Sequence, residues 1–228
     1  MSTESRGRRA ARLERRSKGP GRPRLGEEPL RRQALLDAAL ELLVERGYEA
    51  TTTLAVAQRA GSSKETIYAW FGSKAGLFAA MIEANAAEAN ARVEAALDGA
   101  GDPRQTLVAF SDGLLRLLLG ERALALNRAA ISSPELADVL LRHGRHRTGP
   151  LVESYLARLA ASGELAIDDP DDAFRLLYGL VVQDSQIRAL LGERPLTRPA
   201  IRRRAAQAVD RFLALTGAPH DNAAKPTS

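Results

Sequence analysis

The chain has 228 residues, 45% of them apolar and 27% charged, enough to build one large soluble domain or two small ones. It contains no cysteine, which excludes disulfides, thiolate metal sites and cysteine nucleophiles. The net charge of +5 is unevenly placed: residues 1–24 carry nine basic side chains (Arg6, Arg8, Arg9, Arg12, Arg15, Arg16, Lys18, Arg22 and Arg24) against Glu4 and Glu14, a sum of +7, so the rest of the chain sums to −2. A concentrated basic arm suggests a polyanion partner; a solvated arm without a role is the competing reading. No run approaches the roughly 18 apolar residues of a membrane span, and the N-terminus lacks the apolar stretch of a secretory signal. The expectation is a cytoplasmic protein with no membrane contact.

Residues 1–28, rich in Arg, Gly, Ser and Pro and without apolar periodicity, read as disordered. Leu36, Ala39, Leu40 and Leu43 then fall on one face of a helix that Gly47 ends. Thr51, Thr52 and Thr53 offer caps to a second helix, about Leu54 to Ala60, which stops at Gly61. Ser62 or Ser63 caps a third, about Lys64 to Phe71, closed by Gly72. A long helix is expected from near Lys74 to Leu97, broken by Gly99, Gly101 and Pro103. Leu107, Phe110, Leu114 and Leu118 share a face; Pro134 starts a further segment that Gly149 and Pro150 are expected to interrupt. Helical spacing recurs at Phe174, Leu177, Tyr178 and Val181 and again at Ile201, Ala205, Ala208, Val209 and Phe212, and residues 217–228 read as a frayed tail. No alternating strand or hairpin signal is found, so the fold is expected to be all-α.

The segment from Thr53 to Phe71, TLAVAQRAGSSKETIYAWF, has the physics of a helix-turn-helix. Two short helices that cross closely want a small residue at the contact, here Ala57. Their turn wants a residue at ease with positive φ, here Gly61. Val56, Ile67 and Phe71 supply apolar anchors to the first helix, and the second helix of such a unit enters the major groove with its N-terminal residues foremost.

The longer segment GYEATTTLAVAQRAGSSKETIYAWFGSKAGLF resembles the DNA-binding domain of TetR-family regulators, with agreement at Gly47, Tyr48, Thr51, Thr52, Ala57, Ala60, Gly61, Ser63, Lys64, Tyr68, Phe71, Ser73, Lys74, Leu77 and Phe78. The region from about Ala123 to Leu215 resembles, faintly, the ligand and dimer domain of one TetR subgroup. The resemblance implies a three-helix DNA-binding domain over residues 29–75 and a larger helical ligand-binding and dimerisation domain over 76–216. It places Thr51 and Thr52 at a phosphate, held by a helix N-terminus, and Tyr68 and Lys74 at the DNA backbone. Ser63, Lys64, Glu65, Thr66 and Ala69 are placed at base edges with Trp70 beside them, the contacts that specify sequence. Packing on the first helix is the competing reading for Tyr68, a core role for Trp70, and simple solvation for Lys64 and Lys74. Two departures stand out: Glu65 occupies a position where many members carry Gly, and Gly72 one where the family often has Pro, which implies a looser end to the reading helix.

In the tail, Lys18 to Arg24 (KGPGRPR) resembles an AT-hook core, which would send Arg22 into a narrow A·T minor groove beside Arg24; non-specific phosphate attraction is the competing reading. His143 and His146 lie three apart among Arg142, Arg145 and Arg147, whose charge opposes a metal cation; a solvated helix end is the better reading. The acidic run Asp168–Asp169–Pro170–Asp171–Asp172 reads as a helix N-terminal cap. No catalytic constellation, metal site or cofactor motif is recognised. The resemblance implies a transcription regulator that reads an operator in double-stranded DNA as a homodimer and is released by a small-molecule effector. Its dimer bundle is expected from Asp171–Leu191 and Arg198–Leu215, and its effector pocket, enclosed and apolar, among the middle helices. The alternatives are an architectural protein that coats or bends DNA without an operator, and an enzyme or carrier built on a helical bundle.

Overall fold

The computed structural model describes residues 28–98 and 101–217. The basic arm with Arg22 and Arg24 and most of the C-terminal tail lie outside them. Eleven helices make up the described residues: α1 (Glu28–Ala50), α2 (Thr53–Arg59), α3 (Lys64–Phe71), α4 (Lys74–Leu97), α5 (Pro103–Leu118), α6 (Glu121–Ser132), α7 (Pro134–His143), α8 (Arg145–Ala161), α9 (Pro170–Val182), α10 (Ser185–Leu190) and α11 (Arg198–Thr216). The one β-type contact among them is an isolated antiparallel bridge between Leu165 and Gly217.

Start signals are chemical and local. The hydroxyl oxygens of Thr52, Ser63 and Ser73 accept from backbone N–H groups three residues on, capping α2, α3 and α4. The carboxylates of Asp102 and Asp169 do the same work for α5 and α9 ahead of a proline at the first helical position. The acidic run before α9 is thus a cap, as its sequence implies.

Two buried clusters divide the chain. The first joins Leu35, Leu36, Leu42 and Leu43 of α1 to Val56, Ala57 and Ile67 of the helix pair and to Leu77, Phe78, Met81 and Ile82 of α4. Leu126, Ala129 and Ala130 of α6 and Leu136 and Val139 of α7 belong to the same cluster, so the core of the N-terminal headpiece, the domain expected over residues 29–75, reaches beyond those bounds. The second cluster fills the body with Leu107, Phe110, Leu114 and Leu115 of α5, Val152, Tyr155 and Leu156 of α8, Phe174 and Leu177 of α9, and Val209 and Phe212 of α11. Each such side chain contributes roughly 1.5–3 kcal/mol by leaving water.

Two breaks fall where the sequence does not announce them. The chain turns at Gly144, between α7 and α8, where an added Cβ would lie 2.6 Å from the Leu140 carbonyl oxygen. Gly149 and Pro150, the expected interruption, sit inside α8 instead. Pro150 is exposed, so the carbonyl that its missing N–H leaves unbonded is on a solvated face. Residues Asp171–Leu191, expected as one helix, are split at Gln183, whose φ of +48° is the one positive value outside glycine among the described residues. Such a residue stores roughly 1–3 kcal/mol of strain. What holds the turn is the seating of α10 against α6: the Arg128 guanidinium donates to the carbonyls of Ala189 and Leu190 at 2.9 and 3.2 Å.

Candidate nucleic-acid interface

The α2–α3 pair is assembled as its composition requires. Ala57 is buried at the crossing and Gly61 makes the turn at φ +61°. Ile67 is wholly buried, and half-buried Trp70 and Phe71 pack on the same cluster, their rings edge to face at 6.5 Å. Arg32 of α1 lies over the Phe71 ring at 4.9 Å. The end of α3 is sharp: Gly72 takes φ +75° and donates its N–H to the Tyr68 carbonyl at 3.0 Å. The glycine closes the helix by its left-handed conformation, where the sequence reading foresaw a looser end.

The opposite face of α3 is open. Lys64, Glu65, Tyr68 and Ala69, at i, i+1, i+4 and i+5, are all exposed, as is Ser63. Tyr68 is 48% exposed, and the Lys64 ammonium lies 5.9 Å from its ring. Tyr68 therefore stands outside the core, with its phenol directed to solvent alongside a cation. Ser63 and Thr66 are partly spent on capping: their hydroxyls lie 3.2 Å apart, and the Thr66 N–H donates to the Ser63 oxygen at 3.2 Å. Glu65 lies in the first turn of α3, where its own backbone N–H and then the Ser63 hydroxyl hold its carboxyl below the usual carboxylate range.

Two expected phosphate contacts are placed differently. Thr51 is fully buried and its hydroxyl donates to the Gly47 carbonyl at 2.8 Å, tying the end of α1 to the start of α2. Thr52 beside it is exposed and is the residue that meets solvent at the α2 N-terminus. The Lys74 ammonium does not extend outward. It donates to the Tyr48 carbonyl at 2.6 Å and the Glu49 carbonyl at 3.4 Å, and lies 4.3 Å over the Tyr48 ring. That ring in turn stands edge-on to Phe78 at 4.9 Å. Lys74 thus clamps the carbonyl end of α1 to the start of α4, where the helix dipole favours a cation.

One set of headpiece residues escaped the sequence reading. Arg59 at the end of α2 grips Glu45 of α1 through two parallel bonds of 2.9 and 3.0 Å and reaches Glu41 at 3.1 Å. The Arg59 bond lowers the Glu45 carboxyl below its ordinary range, and the two acids raise the guanidinium above its own. The spacing of Glu41 and Glu45, four apart on one α1 face, was the available signal.

Outside the headpiece, His143 and His146 do not share a helix: Gly144 separates them, and His143 lies 3.5 Å from Glu83 instead. No group of three potential metal ligands occurs among the described residues, and no helix among them is long and apolar enough to cross a membrane. In the body, Leu107, Phe110, Tyr155 and Phe174 are buried in the second cluster. On α5, the Ser111 hydroxyl is buried with no hydrogen-bond partner among the described residues. Two concavities are open clefts: one of about 210 Å³ between α1 and α6, beside Val44, Tyr48 and Arg128, and one of about 300 Å³ between α9 and α11.

Known proteins place this geometry in context. Residues 35–81 match the family of bacterial regulatory proteins called the tetR family, and residues 105–217 match the C-terminal domain of AefR-like transcriptional repressors. The HTH-type transcriptional regulator BetI of Agrobacterium fabrum is 32% identical over 181 residues, 76% of this chain and 84% of that protein. The structure superimposes on a TetR transcriptional regulator from Agrobacterium tumefaciens with a TM-score of 0.68 at 38% identity, over 83% of this chain and 95% of that one. The flavonoid-responsive regulator FrrA gives a TM-score of 0.64 at 28% identity, over 84% and 99% of the two chains.

Proposed function

Because the chain belongs to the TetR family of transcriptional regulators, we propose that it is a homodimeric, effector-released repressor that reads its operator with α3. The observation that carries the reading is the solvent-facing row Lys64, Glu65, Tyr68 and Ala69 on a short helix whose other side is pinned by Ile67. Lys64 and Ala69 suit base edges. Glu65 is an acceptor for a cytosine amino group, a contact that selects sequence. Tyr68 and the hydroxyl of Thr52 suit phosphate oxygens, which fix register without reading it. Ser63, Thr66 and Trp70 stiffen the reading helix and sit at the margin of that contact.

A helix-turn-helix dimer reads two half-sites about one helical turn apart. The exposed apolar side chains Leu176, Ile187, Leu191 and Leu215, on and around α9–α11, support burial of that face by a second copy. The basic arm, with Arg22 and Arg24, adds phosphate attraction at long range.

Release requires an effector that prefers the conformation with misplaced headpieces. The response of FrrA to flavonoids supports an effector-driven cycle in a protein of similar architecture. Ser111, buried and unpartnered on α5, supports an effector site inside the body, where a polar ligand atom would satisfy it.

The test is fluorescence anisotropy of the full chain on DNA from the intergenic region beside its own gene, with excess non-specific competitor. Binding that survives competitor supports the regulator; binding that competitor abolishes points to sequence-independent coating and removes the operator from the account.

A further inference from the structure

The cleft between α9 and α11 is lined by Leu180, Gln183, Arg204, Gln207, Ala208 and Arg211. Arg204, Ala208 and Arg211 fall at i, i+4 and i+7, one stripe of α11 that faces α9. Ala208 at its floor is 2% exposed and too small to fill the space between the two arginines, which start about 10 Å apart along the axis. That span lets both long side chains converge on one group between them.

The two charges are not compensated by an ion pair among the described residues. Arg211 forms no ion pair among the described residues, and Arg204 donates only to the Ser185 hydroxyl. The nearby acids are engaged elsewhere: Asp210 by Arg104, and Asp184 by Arg188. Two amide side chains, Gln183 and Gln207, complete the wall; the Gln183 amide nitrogen already donates to the Leu180 carbonyl at 3.4 Å. Gln183 is also the residue held at φ +48°. Guanidinium groups beside amide side chains in a polar recess are the chemistry that binds an oxyanion.

We propose that this cleft is an anion site, in which Arg204 and Arg211 together bind one group of the phosphate or carboxylate class. The cleft itself is lined by residues of one chain. It lies between α9 and α11, the helices proposed for the dimer bundle, so the anion comes either from solution or from an acidic side chain of a second copy.

Calorimetric titration of the full chain with inorganic phosphate, at ionic strength matched with chloride, tests it. Saturable uptake is expected that Arg204→Gln and Arg211→Gln each weaken about tenfold or more, the loss of a charge-assisted hydrogen bond. The control is Arg202→Gln with Arg203→Gln, which removes from the same helix, outside the cleft, as many charges as the Arg204→Gln, Arg211→Gln double variant and is expected to leave that uptake intact. If phosphate does not bind, the anion is the partner copy's carboxylate. Sedimentation must then show a dimer weakened about tenfold by the Arg204 and Arg211 substitutions and not by the control pair. Phosphate uptake that survives loss of both cleft arginines overturns the site, as does the absence of both effects. A chain that stays monomeric yet binds phosphate through Arg204 and Arg211 keeps the site and discards only the dimer.

Discussion

Lys74 separates two accounts of the headpiece. Replacement by Met keeps the aliphatic stem and removes the ammonium from the Tyr48 and Glu49 carbonyls, at 2.6 and 3.4 Å, and from the Tyr48 ring at 4.3 Å. A charged hydrogen bond contributes about 1.5–3 kcal/mol and a part-exposed cation–π contact roughly 0.5–1 kcal/mol. Solvent screening of a half-exposed ammonium trims the sum, so a loss of about 2 kcal/mol is expected. For a chain of this size that is a fall in Tm of about 4–8 °C. Thermal unfolding followed by circular dichroism measures it, and operator binding across a salt series is measured on the same samples. A clamp predicts the lower Tm with an unchanged salt slope. A phosphate contact predicts the reverse, an unchanged Tm and a slope smaller by about 0.9 for each headpiece on the DNA. The second pattern would refute the clamp and restore Lys74 to the DNA backbone.

Other substitutions probe neighbouring claims. Lys64→Ala and Tyr68→Ala are each expected to weaken operator binding by about 1–3 kcal/mol with Tm unchanged; parent affinity in both would remove α3 from the reading role. Deleting residues 1–24, seven net positive charges, is expected to flatten the salt dependence of binding, and an identical slope would show that the arm does not touch DNA. Gly144→Ala places a Cβ 2.6 Å from the Leu140 carbonyl oxygen, so a loss of about 1–3 kcal/mol in denaturant unfolding is expected; a parent-like midpoint contradicts the tight turn. Glu45 is lowered in the folded state by Arg59, so its contribution is present above the unfolded carboxyl value and is lost as pH falls through the lower folded one. Glu45→Gln should therefore reduce the acid sensitivity of unfolding below about pH 4.5, and parallel acid limbs in the two proteins would rule that out.

The headpiece was legible because its punctuation is local. Ser63 and Gly72 bound α3, Ser73 starts α4, and both helices span the residues that the pattern predicts. Side-chain direction was less so. Thr51 and Lys74 match the family pattern by type, but that match does not reveal that one hydroxyl turns inward or that one ammonium finds carbonyls at a helix end. In the body, the break at Gln183 carries no Gly or Pro, because the seat of α10 on α6 imposes it from a distance. Pro150 misleads for the converse reason: a breaker on a solvated face costs little enough for α8 to run through it, while Gly149 beside it is buried within the helix. The cleft pairs residues of α9 and α11 whose juxtaposition only the tertiary fold creates.

The headpiece core has a consequence for anyone recombining these regulators. Its apolar surface is closed partly by Leu126, Ala129, Leu136 and Val139, which the chain supplies long after the reading helix. The transplantable unit is therefore discontinuous in sequence. A chimera cut after residue 75 would give a foreign reading head a lid shaped for another protein, whereas one that carries the matching faces of α6 and α7 would inherit a closed core. Exchange of DNA specificity between relatives should thus succeed more readily by repainting the exposed row of α3 than by moving the domain that bears it.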